Sequence, residues 1–142
     1  MQSMWRICVL LALGTSMVDA PLRYDLTAET SMPHLEENLR YTIERSQRCL
    51  GRADLASAFP ILHHPSLAGC KLREQSHDEN TLSYQLVCDR APGTTGQATW
   101  HVEKHIIRGT LDVKPGGKNM TFSQRVTGRA MGQCSSTGND PV

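Results

Sequence analysis

Two cysteines, Cys70 and Cys88, stand at mirror-image positions about a polar knot in the stretch CKLREQSHDENTLSYQLVC, and nothing else in the chain restricts its fold as tightly. Ser76-His77-Asp78-Glu79-Asn80 is a cluster of turn-forming residues between two stretches that alternate apolar and polar. Folding the chain there sets Cys70 opposite Cys88, Leu72 opposite Leu86 and Glu74 opposite Tyr84. Cys70, Leu72, Leu82, Tyr84, Leu86 and Cys88 then share one face, and Lys71, Arg73, Gln75, Ser83 and Gln85 the other. Such alternation predicts an antiparallel pair with one buried and one wet face. Directly opposed Cα atoms in such a pair lie roughly 4.5–5.5 Å apart, a span that a disulfide bridges.

A disulfide needs an oxidising compartment, and the N-terminus addresses that point. MQSMWR precedes the apolar run ICVLLALGTSMV and the small-residue end VDA, the pattern of a secretory signal peptide over residues 1–20. The apolar run is about a dozen residues, short of the ~20 that a membrane-spanning helix needs, so no stable span is expected after cleavage. A cut after Ala20 places Pro21 just beyond it, and a cut near Ser16 is the alternative.

Removing 20 of 142 residues leaves 122, enough for one domain over 21–134 followed by a disordered tail at 135–142. Cys8 leaves with the leader, and Cys49, Cys70, Cys88 and Cys134 remain. Four cysteines allow three pairings. The hairpin selects Cys70 with Cys88, which leaves Cys49 with Cys134. Their spacings of 21, 18 and 46 residues contain no CxxC knuckle of the kind that holds zinc. Only Tyr24, Tyr41, Phe59, Tyr84, Trp100 and Phe122 supply aromatic bulk beyond the leader, so the core is lean and two disulfides at about 2–4 kcal/mol each weigh heavily. The net charge of +1 and the lack of a basic stripe argue against nucleic acid as a partner.

Strand-like alternation recurs along the rest of the chain. Leu22, Tyr24, Leu26 and Ala28 alternate with Arg23, Asp25 and Thr27, and Leu39, Tyr41 and Ile43 mark a second strand. MPHLEENLRYTIERSQRC also reads as a single helix, an alternative at this stage. One short helix is expected over Gly51–Phe59, stopped by Pro60, with HHPSLAG as loop. Beyond Cys88, Ala98, Trp100 and Val102 share a face; so do Ile107, Gly109, Leu111 and Val113, and then Met120, Phe122 and Val126. The expected fold is mainly β: an antiparallel meander of about six or seven strands, curved or half-barrel, with one short helix and disulfide staples.

These fixed points together resemble a bacterial exported family, the domain of unknown function DUF3617. Pro21-Leu22-Arg23-Tyr24-Asp25 is similar to its opening Pro-Gly-Leu-Trp-Glu, Cys49-Leu50 to its Cys-Leu, and Gly69-Cys70 to its Gly-Cys. Cys88 takes the place of its third cysteine, and Gly128-Arg129-Ala130-Met131-Gly132-Gln133-Cys134 resembles its closing Gly-Arg-x-x-Gly-x-Cys. Leu22, Tyr24 and Gly51 depart from the family's glycine, tryptophan and threonine. The resemblance implies an exported or periplasmic β-rich domain and brings no activity or active-site residues.

Candidate chemistry is thin. His101, Glu103 and His105 form the one trio with metal-ligating character, because alternate strand positions share a face and His105 can curl in from a turn. His63-His64 sits in a loop, and neither an HExxH helix motif nor a GxSxG elbow occurs. PGGKN lacks the spacing and the following helix of a phosphate loop. No cofactor is expected. The leading expectation is a periplasmic or secreted, non-enzymatic domain that binds a small apolar ligand or an envelope protein, with Tyr84, Trp100 and Phe122 on the apolar sheet face as ligand-binding residues. The alternative is a metal-binding or hydrolytic protein built on His101, Glu103 and His105.

Overall fold

A computed structural model of the chain describes residues 20–32, 41–90, 92–116 and 121–134. Seven strands form one antiparallel sheet: β1 (Leu22–Ser31), β2 (Tyr41–Leu50), β3 (Cys70–His77), β4 (Thr81–Cys88), β5 (Thr95–Val102), β6 (Ile106–Lys114) and β7 (Phe122–Gln133). Their spatial order is β2-β1-β7-β6-β5-β4-β3. From β3 to β7 this is the expected meander. The first two strands break it: β1 is inserted between β2 and β7, so the chain leaves one edge at β2 and re-enters at the opposite edge as β3. The sheet is therefore open, with β2 and β3 as its edges, and the β2–β3 crossover spans its inner face.

The hairpin holds the expected register at Cys70↔Cys88, Leu72↔Leu86 and Glu74↔Tyr84. A bulge at Gln75 then shifts it, so that Ser76 faces Ser83 and His77 faces Leu82. Asp78 makes the turn: its Oδ1 accepts from the backbone N–H of Asn80 at 3.2 Å and of Thr81 at 3.0 Å. Both cysteine pairs are bonded as expected, with Cα–Cα separations of 4.0 Å for Cys70–Cys88 and 5.8 Å for Cys49–Cys134.

The second bridge needs a bend, because β1 lies between β2 and β7 and two strand spacings amount to roughly 9–10 Å. Met131 is extra in the ladder, since Tyr24 faces Ala130 while Arg23 faces Gly132. Gly132 adopts φ +128°, which L side chains disfavour. Together they turn the end of β7 over the start of β1 and carry Cys134 to Cys49. Half of the closing Gly-Arg-x-x-Gly-x-Cys motif thus has a mechanical reading. Its first glycine has another: a Cβ on Gly128 would stand 2.7 Å from Ile107 and 2.8 Å from Leu26, its two neighbours across the sheet.

In place of the short helix over Gly51–Phe59, the crossover forms three 3-10 turns at Arg52–Ser57, Pro60–His63 and Pro65–Leu67, the last inside the HHPSLAG stretch read as loop. Asp54 starts the first by accepting from Gly51 N–H at 2.7 Å, while Pro60 and Pro65 each end one turn and begin another. Gln124, 2% exposed, pins this layer to the sheet: its Oε1 accepts from Ile61 N–H at 3.1 Å and its Nε2 donates to Thr30 Oγ1 at 2.8 Å.

Tyr41–Leu50 is the expected second strand and not the alternative helix; its Ile43 lies half-exposed on the outer face opposite Glu29. Leu39, Met120, the leader through residue 19 and the tail from 135 lie outside the described residues.

Candidate functional site

Alternation places Leu26, Ala28, Leu72, Leu82, Tyr84, Leu86, Ala98, Trp100, Leu111, Val113 and Val126 on the inner face, where the 3-10 layer adds Leu55, Ala58, Phe59, Ile61 and Leu67. Trp100 is wholly buried; its Nε1 donates to Leu55 O at 2.8 Å, and its ring centroid lies 5.0 Å from that of Phe59. Opposite it in the ladder stands Gly109, where a Cβ would meet the indole at 2.7 Å, so the ring lies flat on bare backbone. Tyr84 is 3% exposed and Phe122 8%. All three aromatics expected to bind a ligand are thus buried; Trp100 lies beneath the 3-10 layer, and Phe122 borders a second cavity at the far end of the sheet. Burial pushes the Tyr84 phenol up to about 12; Glu74, facing it across the hairpin, adds to the rise and Arg52 opposes it.

The metal trio is not assembled. His101 lies on the outer face of β5, its Nδ1 3.3 Å from Thr81 Oγ1. Glu103 accepts from Arg108 at 3.4 Å, and His105 sits in the β5–β6 turn, where its carbonyl accepts from Ala130 N–H at 2.9 Å. Among the described residues no three His, Cys, Asp or Glu side chains come close enough to hold a metal ion. His63 and His64 lie apart from the trio in the second 3-10 turn and just after it.

The inner face is not closed at one end. Where β1 begins, β2 ends and β5 turns into β6, the first 3-10 turn stops short of the strand ends and leaves a cavity of about 360 Å3. Its floor is apolar: Leu22, Tyr24, Leu50, Leu55, Val102 and Ile107. Its rim is charged and polar, with Arg52, Glu79, Asn80, Glu103 and Lys104. Tyr24, Leu50, Leu55 and Ile107 belong to the buried core, whereas Leu22 and Val102 are only partly covered.

Hydrogen bonds brace this mouth. The Arg52 guanidinium donates to Asp78 O at 2.8 Å and Glu79 O at 3.5 Å, which holds the β3–β4 turn against the 3-10 layer. Val102 N–H donates to Asn80 O at 2.8 Å, and Glu103 N–H to Ile106 O at 2.9 Å. A cavity of this size, with an apolar floor and a few polar groups at its lip, suits a small molecule with an apolar body. Leu22 and Val102 were legible as inner-face residues, but nothing local marks them as uncovered. That depends on where the crossover lands.

Comparison with curated proteins and with solved structures returns no match. The family model described as Protein of unknown function (DUF3617) matches residues 14–134, most of the chain, and takes in all four bonded cysteines and both glycines of the closing motif. With the staples paired as the hairpin register requires and the closing motif turning the end of β7, the chain belongs to the DUF3617 family.

Proposed function

We propose that this protein is a non-enzymatic binding domain of the periplasm or extracellular space, and that it holds a small apolar or amphipathic ligand at the open end of its sheet. The observation that carries the reading is the braced cavity on an apolar floor of Leu22, Tyr24, Leu50, Leu55, Val102 and Ile107. The two disulfides fit an oxidising compartment, and among the described residues no helix is long and apolar enough to cross a membrane. A ligand in this cavity leaves the Trp100–Phe59 contact in place, because both rings are wholly buried and neither lines it.

The test is a fluorescence titration with N-phenyl-1-naphthylamine, a neutral apolar probe. Wild-type protein is expected to bind it saturably, and Val102→Trp, which fills the partly covered lip, to lose that binding at an unchanged melting temperature. Absence of saturable binding by the wild type, or equal binding by the folded variant, would overturn the proposal.

A further inference from the structure

Among the described residues no element covers the outer face of the sheet, and one row across it differs from its neighbours. Ser31 of β1 faces Ser123 of β7, Ser123 faces Asp112 of β6, Asp112 faces Gln97 of β5, and Gln97 faces Gln85 of β4. Every strand in this run of five contributes one short or planar hydrogen-bonding side chain. Rows nearer the opposite end of the sheet carry Arg45, Arg108, Arg125 and Arg129 beside Asp25 and Glu29; in this one the groove is lined by a single carboxylate and by Lys114, and the row ends beyond the groove on Arg73 of β3, which faces Gln85. These side chains line a transverse groove of about 460 Å3. At this end of the sheet Gly93 and Gly116 approach closely: a Cβ on Gly93 would lie 3.1 Å from Gly116 Cα. Gln85 accepts from Gln75 Nε2 at 3.1 Å; among the described residues the side chains of Ser31, Ser123, Asp112 and Gln97 make no hydrogen bond.

We propose that this groove is a second binding site and takes a neutral oligosaccharide in extended form. Hydroxyls, carboxamides and a carboxylate are the groups that pair with sugar hydroxyls, each of which both donates and accepts. Four strand spacings of about 4.8 Å give the row a length of roughly 19 Å. Adjacent strands lie about as far apart as successive pyranose units of an extended chain, so a run of sugars meets one polar side chain per unit. The near balance of Asp112 and Lys114 favours an uncharged chain over an anionic one. This site lies on the opposite face from the apolar cavity, and its ligand is of a different class.

The test uses cellotetraose, tetra-N-acetylchitotetraose and glucose as probes, read by calorimetry and by amide shifts in a nitrogen–proton spectrum. At least one tetrasaccharide is expected to bind saturably, at least tenfold tighter than glucose, with the largest shifts at Ser31, Gln85, Gln97, Asp112 and Ser123. The variant Gln97→Ala/Asp112→Ala is expected to lose at least tenfold in affinity at an unchanged melting temperature. Should that pair destabilise the sheet, Gln97→Ala alone, on an exposed position of β5, is expected to weaken binding several-fold. Failure of both tetrasaccharides to bind, equal binding by folded variants, or shifts confined to the opposite face would each overturn the proposal.

Discussion

Trp100 joins three parts of the molecule through one side chain: its ring covers Gly109, packs on Phe59 and hands its N–H to the first 3-10 turn. Trp100→Ala is therefore expected to cost about 3–5 kcal/mol in urea unfolding, as large aromatic deletions in cores do. A variant within about 0.5 kcal/mol of wild type, the range of surface substitutions, contradicts its place in the core. Tyr84 makes a pH-dependent contribution of known sign. Its phenol is pushed up to about 12 from 10.0, so the folded state keeps a proton that the unfolded chain releases. The contribution is fully present below pH 10 and is lost as pH rises from 10 towards 12. Across that window Tyr84→Phe is expected to lose less stability than wild type; parallel declines in alkaline unfolding titrations would count against it.

At the scale of the element, the strands that alternate cleanly were legible, and those that do not were misread for physical reasons. β4 and β6 carry apolar residues at every second position, so their faces follow from spacing alone. β2 offers Glu44, Ser46 and Arg48 to the inner side and Ile43 to the outer, which hides its facing. Charges on both faces of an edge strand also discourage pairing with another chain. The segment Gly51–Phe59 looked like a helix because Ala53, Leu55, Ala56 and Ala58 favour one, but with Pro60 close behind it has room only for the six-residue 3-10 turn Arg52–Ser57, and Pro60 and Pro65 open the two turns that follow. Strand order was illegible, since nothing local tells β1 that its second neighbour is β7. The Cys49–Cys134 staple closes 85 residues across that insertion and Cys70–Cys88 only 18 within one hairpin. By loop entropy, replacing the first pair with serines is expected to cost about 1.4 kcal/mol more than replacing the second, and equal losses in denaturant unfolding would argue that β1 and β7 stay docked without the bridge.

On the scale of the whole molecule, one sheet is wrapped on its inner side by a layer that covers most of it and stops short at one end. Trp100 became core because the crossover travels over it, and the partly covered lip at Leu22 and Val102 is what it leaves behind. Among the described residues no element covers the outer face of the same sheet, so a single fold separates an apolar cavity from a polar groove. Methyl-resolved NMR during titration with N-phenyl-1-naphthylamine tests this arrangement most directly. Saturable shifts are expected at the methyls of Leu22, Leu50, Leu55, Val102 and Ile107, with those of the buried Leu82 and Leu86 left in place. Shifts centred on Leu82 and Leu86, or none at the methyls of those five open-end residues, would contradict it.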